Sequence, residues 1–82
     1  MSEKEAINMN QKQKINKVKT GLNLYRLIEA SGKTRIEIAE YLELESTRVI
    51  YDWTSGIKLP SLENLLNLSI LFHVSIEDIL GT

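Results

Sequence analysis

"TRIEIAEYLELESTRVIYDWTSGIKLP", residues 34–60, is the stretch that decides the fold of this chain. Thr34 stands where a helix N-cap belongs, and Glu37, three positions later, completes the reciprocal pattern of a capping box. The helix that follows turns Ile38, Ala39 and Leu42 inward, with Ile36 at the edge of that face. Ser46 is placed to cap a second helix that runs to Thr54 or Ser55, where Gly56 supplies the left-handed residue that ends it. Pro60 forbids any helix from crossing it and holds Leu59 extended.

Side chains three and four apart on a helix share a face, and this sorts residues 46–54 into two sets. Val49, Ile50 and Trp53 are the apolar set and belong to the core, so Trp53 is architecture and not a stacking platform for bases. Thr47, Arg48, Tyr51 and Asp52 form the other set, in which Thr47 precedes Tyr51, and Arg48 precedes Asp52, by one helical turn. This outward face offers donors, acceptors and an aromatic ring where an ordinary solvated face carries a Glu/Lys mixture.

The same period extends in both directions. Before the stretch, LNLYRLIEAS places Leu24, Leu27 and Ile28 on one face from Gly21 onward, and Gly32 closes that helix. After it, Ser61 caps SLENLLNLSILFH, whose Leu62, Leu65, Leu66, Ser69 and Phe72 recur on one face that Leu68 and Leu71 widen. This is expected to be the most buried helix. Ser75 caps a short last helix, SIEDIL, with an acid three residues on, and Gly81 ends it. Ser46, Ser61 and Ser75 read as caps and not as nucleophiles, and His73 as a partner of a helix C-terminus or a partly buried polar group. No stretch alternates apolar and polar residues as a strand would. The prediction is all-α: a compact five-helix bundle over residues 21–82, preceded by a basic polar arm over residues 1–20 that is flexible or partly helical.

Composition bounds the rest. Eighty-two residues allow one small core. The absence of cysteine excludes disulfides and thiolate metal sites, and fits a cytoplasmic setting. No apolar run approaches the ~20 residues that span a bilayer, so no membrane association is expected. A nucleophile with its base, paired carboxylates, a glycine-rich phosphate loop and metal-ligand spacing are all missing, so the chain does not read as an enzyme and no cofactor is expected. The net charge of −1 conceals an asymmetry: residues 1–35 carry eight Lys/Arg against three Glu, whereas residues 36–82 carry Arg48 and Lys58 against eight acids. Lys12, Lys14, Lys17 and Lys19 follow one another with no acid between them, a pattern suited either to a solvated tail or to an arm along a polyanion.

The order "IEIAEYL", a short turn, "VIYDW", "SGIKLPSLENLLNLS" and "VSIEDIL" resembles the Cro and phage-repressor (XRE-like) family of helix-turn-helix DNA-binding proteins, over residues 21–81. The resemblance implies a lambda-repressor-like DNA-binding domain with Ala39 at the close crossing of the second and third helices and Ile50 plugging between them. It implies that the third helix enters the major groove of double-stranded DNA and reads bases with Thr47, Arg48 and Asp52, Tyr51 standing beside them. Phosphate contacts are implied for Arg35 and Lys58, assisted by amides near the caps Thr34 and Ser46. This chain departs from the family in two ways: the connection from Leu42 to Ile50 is one residue longer than in its commonest members, and Glu43 and Glu45 put acids in the turn that approaches DNA. Asp52 has two readings, as an acceptor from a cytosine amino group or as the group that holds the Arg48 guanidinium, and the second is expected because an unpaired carboxylate near phosphates is costly. Tyr51 has three: packing over exposed apolar surface, phosphate contact, or contact with a thymine methyl.

The function expected from these readings is a sequence-specific transcriptional regulator, a repressor of a phage, mobile element or bacterial stress locus, acting as a homodimer on a palindromic site. Ile76, Ile79 and Leu80 either close the core or form the dimer surface. The rival expectation is a protein-interaction module, such as an antitoxin or anti-repressor, that uses the same fold to bind a protein partner; the acidic second half and Asp52 favour it.

Overall fold

The computed structural model describes residues 12–82. The first eleven residues, which include most of the expected arm, lie outside the described residues. Five α-helices follow in order: α1 (Lys17–Ser31), α2 (Arg35–Tyr41), α3 (Arg48–Thr54), α4 (Leu62–Phe72) and α5 (Ile76–Leu80). No strand occurs among the described residues. α1 forms the spine, packing against α3 along much of its length and against α5, while α4 also packs on α5. One core joins them, built from Leu24, Ile28, Ile38, Ala39, Ile50, Trp53, Leu65, Leu68 and Ile79.

The first helix begins four residues before Gly21, so Lys17 and Lys19 are helical residues. Its cap is Asn16, whose side chain accepts from the Lys19 amide at 3.0 Å. Asn is as good an N-cap as Ser, but without an apolar run behind it the signal is easily missed. Thr20 and Gly21 are buried. Gly21 is the reason α1 and α3 can touch: a Cβ there would overlap the Trp53 carbonyl oxygen and sit 3.1 Å from the Thr54 carbonyl. Asn23 ties α1 to the end of α5 by donating to the Ile79 carbonyl at 3.0 Å, and the Lys19 side chain lies against Gly81 beside it.

The capping pattern holds. Thr34 Oγ1 accepts from the Glu37 amide at 3.1 Å, and the Glu37 carboxylate accepts from the Thr34 amide at 2.9 Å. Ser61 caps α4, and Ser75 with Asp78 forms the second capping box. Ser46 Oγ accepts from the Arg48 amide at 3.3 Å, although the residue at the cap itself is Thr47, already helical and without a side-chain bond. The Thr34 amide, then its hydroxyl, hold the Glu37 carboxyl below its ordinary value of 4.5. A carboxyl depressed in the folded state adds stability above its ordinary value, and this is lost as the pH falls through the lower folded value. Glu37→Gln keeps the hydrogen-bonding shape without the titration, so its stability should decline less steeply than that of wild type across the acid range, as followed by thermal melts; equal slopes would show that the pair adds no pH dependence.

One expectation is corrected in the C-terminal half. Leu65 and Leu68 are the buried residues of α4, whereas Leu62, Leu66 and Ile70 are exposed, so this helix is not the most buried. α4 is apolar around most of its circumference, and such a helix has no phase of its own: the neighbours select which leucines go in. Ile79 of α5 is fully buried, and the partly buried Ile76 and Leu80 pack against the core, so these residues help to close the fold. His73 follows α4 in the left-handed region, φ 56°, as does Glu43 at the end of α2. At the second position the usual residue for that conformation is glycine.

Candidate nucleic-acid interface

α2 and α3 meet across the turn 42–47 and enclose an open cleft of about 730 Å³ lined by Thr34, Arg35, Ile36, Thr47, Arg48 and Tyr51. Five of these six are residues that the sequence nominated. The inward phase of Ile50 and Trp53 holds α3 against α1, which turns Thr47, Arg48 and Tyr51 outward over the first turn of α2.

Each arginine of the cleft is held between an aromatic ring and a carboxylate. Arg48 lies with its guanidinium carbon 5.9 Å from the centroid of the Tyr51 ring and its Nε 3.6 Å from Asp52 Oδ1. Arg35 stands 5.9 Å over Tyr25, with Nη2 3.7 Å from Glu29 Oε1. Both ion pairs are longer than hydrogen bonds and partly solvated, worth at most about 1 kcal/mol, so they orient the arginines without committing them. Because Asp52 meets Arg48 at Nε, the two terminal nitrogens stay available for a two-pronged contact.

Asp52 does not lie in the cleft. Its side chain is 16% exposed against 76% for Arg48, and its second oxygen reaches Lys58 Nζ at 4.0 Å. The Asp52 carbonyl also accepts the amides of Ile57 and Lys58 at 2.9 and 3.1 Å, fixing the loop that follows Gly56. One aspartate thus sits behind the cleft, joining the outward arginine of α3 to the lysine of the loop. Ser46 and Lys58 do not line the cleft, and the Ser46 hydroxyl accepts from the Arg48 amide. The Thr34 amide is likewise engaged, donating to the Glu37 carboxylate.

The residue that sequence reading missed is Ile36. It is 62% exposed and lines the cleft, where the periodicity put it at the edge of the core-facing set. The available signal was its neighbour: Ile38 and Ala39 already fill the inward face of a seven-residue helix, leaving no core for Ile36.

A pair of short helices across a tight turn, the second presenting Thr, Arg and Tyr outward beside the capped start of the first, defines a helix-turn-helix DNA-binding domain. The chain belongs to the helix-turn-helix family, whose model matches residues 24–79, and it is a DNA-binding transcriptional regulator of that type. Among solved structures it is similar to the SOS-response transcriptional repressor LexA from Eubacterium rectale, at 26% identity and a TM-score of 0.73, over 85% of this chain and 73% of that one. It is also similar to the restriction-modification controller protein C.AhdI from Aeromonas hydrophila, at 24% identity and a TM-score of 0.66, over 76% of this chain and 92% of that one; at that identity the likeness concerns the fold. No curated protein is significantly similar in sequence. No helix among the described residues is long and apolar enough to cross a membrane.

Proposed function

We propose that this chain is a sequence-specific repressor that lays α3 in the major groove, reads bases with Thr47, Arg48 and Tyr51, and holds flanking phosphates with Arg35 and Lys58. The observation that carries this reading is the cleft itself, in which two oriented arginines, two threonines and a tyrosine from α2 and α3 face the same space. The likeness to a transcriptional repressor at 26% identity supports the sign of regulation. Asp52 acts as the positioning residue for Arg48 and not as a base acceptor, which its ion pairs with Arg48 and Lys58 support. Those pairs also weaken the rival reading of a protein-binding module, since the carboxylate that favoured it is already partnered. The protein acts on DNA in the cytoplasm, without a cofactor and without catalysis.

One such domain covers about one half-site, so useful specificity calls for a second copy. With α5 committed to the core, the surface proposed for that copy is the exposed row Leu62, Leu66 and Ile70 on α4. The row repeats every four residues and is centred on Leu66, so two antiparallel α4 helices can set Leu66 on its own copy and Leu62 on Ile70, as a two-fold contact requires. Glu63 is the single charge on α4, so pairing brings few like charges together. Leu66→Glu is expected to convert a dimer to a monomer in sedimentation equilibrium with no loss of helix content; a variant that remains dimeric would place the contact elsewhere.

Selection of bound duplexes from a random library tests the function as a whole. A two-fold symmetric motif is the expected result, and no enrichment even at low salt would overturn it.

A further inference from the structure

Phosphate and guanine contacts require charge and hydrogen bonds, yet part of the cleft wall is apolar. Ile36 from the first turn of α2 and Tyr51 from α3 both line it, 62% and 58% exposed, between Arg35 and Arg48. The fold makes no use of Ile36: Ile38 and Ala39 take the inward positions of α2, and an exposed β-branched residue in a helix gains neither burial nor propensity. Tyr51 is likewise outside the core, its ring lying under the Arg48 guanidinium. Thr47 stands in the same lining.

The major groove presents one apolar group on its base edges, the C5 methyl of a pyrimidine. Thymine carries it always, and cytosine only when methylated. We propose that Ile36 and Tyr51, resting on the DNA-reading role of α3 given above, form a subsite for a pyrimidine C5 methyl beside the base pair read by Arg48. Ile36 is then a specificity-determining residue contributed by the helix that otherwise serves the backbone. The cleft is open and lined by Ile36 and Tyr51 together with Arg48, so a methyl group that enters it meets an apolar wall beside the guanidinium. The two arginines at its margins keep the strand close, so the methyl contact needs no additional ordering of the protein.

The test uses the duplex enriched in the random selection. Each thymine in turn is replaced by deoxyuridine, each cytosine in turn by 5-methylcytosine, and Kd is measured by fluorescence anisotropy for wild type, Ile36→Ala and Ile36→Val. Burial of one methyl corresponds to a change in Kd on the order of fourfold. Wild type should show that loss at one symmetry-related pair of thymines if thymine is the source, or that gain at one pair of cytosines if methylcytosine is. Ile36→Ala should abolish the difference and Ile36→Val should retain most of it. Because Ile36 is exposed, all three proteins should melt alike. Binding that is indifferent to every methyl, or a methyl effect undiminished in Ile36→Ala, would overturn the proposal alone. Failure to bind any duplex would overturn the reading of α3 on which it rests.

Discussion

Gly21→Ala should lower the melting temperature of this domain by about 12–24 °C, the shift that about 3 kcal/mol produces in a chain of this size. Gly21 lies inside α1, where alanine is intrinsically preferred by about 1 kcal/mol, so propensity alone predicts the opposite sign. Packing outweighs it. The added Cβ would overlap the Trp53 carbonyl oxygen, with the Thr54 carbonyl at 3.1 Å and the Gly56 amide at 3.2 Å. All three are backbone atoms at the end of α3, so no rotamer change relieves the overlap, and α1 must withdraw from the helix against which it packs most closely. A domain with a single small core has little stability in reserve. Thermal unfolding followed by circular dichroism decides the matter, and a Gly21→Ala protein as stable as wild type would show that the helices do not approach so closely.

Asp52→Ala and Arg48→Ala should damage recognition in opposite ways. Removing Arg48 would delete the proposed two-pronged contact, worth about 1–3 kcal/mol, so affinity for the selected site should fall by about fivefold to 150-fold per half-site while binding to unrelated DNA changes much less. Removing Asp52 releases two cations, Arg48 and Lys58, and takes a negative charge from behind the interface. Unrelated DNA should then bind more tightly, with a steeper salt dependence of about 0.9 per additional phosphate neutralised, while preference at the base pair read by Arg48 declines because the guanidinium is no longer held. Competition titrations at several salt concentrations separate the two effects. If Asp52→Ala left both affinity and preference unchanged, Asp52 would have no positioning role.

Why these effects were only partly readable in the sequence is itself physical. Helix ends were legible where a local hydrogen bond marks them: Thr34 with Glu37, Ser61, Ser75 with Asp78, and the left-handed Gly32, Gly56 and Gly81. The division of α3 into Ile50 and Trp53 inward, Arg48 and Tyr51 outward followed from the helical period, because its apolar residues are few and in phase. α4 failed the same test because its apolar residues surround it, so only the neighbours determine that Leu65 and Leu68 go in while Leu62 and Leu66 stay out. Gly21 read as the start of a helix because the sequence has no sign of the Trp53 carbonyl that requires it. Glu43 in a left-handed conformation lacked the glycine that would have announced the turn. Arg48 and Asp52 were legible as a pair at one-turn spacing, but the place of Ile36 in the cleft was not, since the helical period put it only at the edge of the core-facing set and carries no sign of the Thr47–Tyr51 face across the turn.

The separation of the two faces of α3 bears on how such a protein acquires a new target. Ile50 and Trp53 carry the packing against α1, while Thr47, Arg48 and Tyr51 stand outside the core. On the base-reading role proposed for them, substitutions at the outer three positions would change the DNA address at little cost to folding. A descendant of this chain could be redirected one residue at a time, each intermediate remaining a folded protein, so that its regulatory circuit can be rewired more readily than its architecture can be altered.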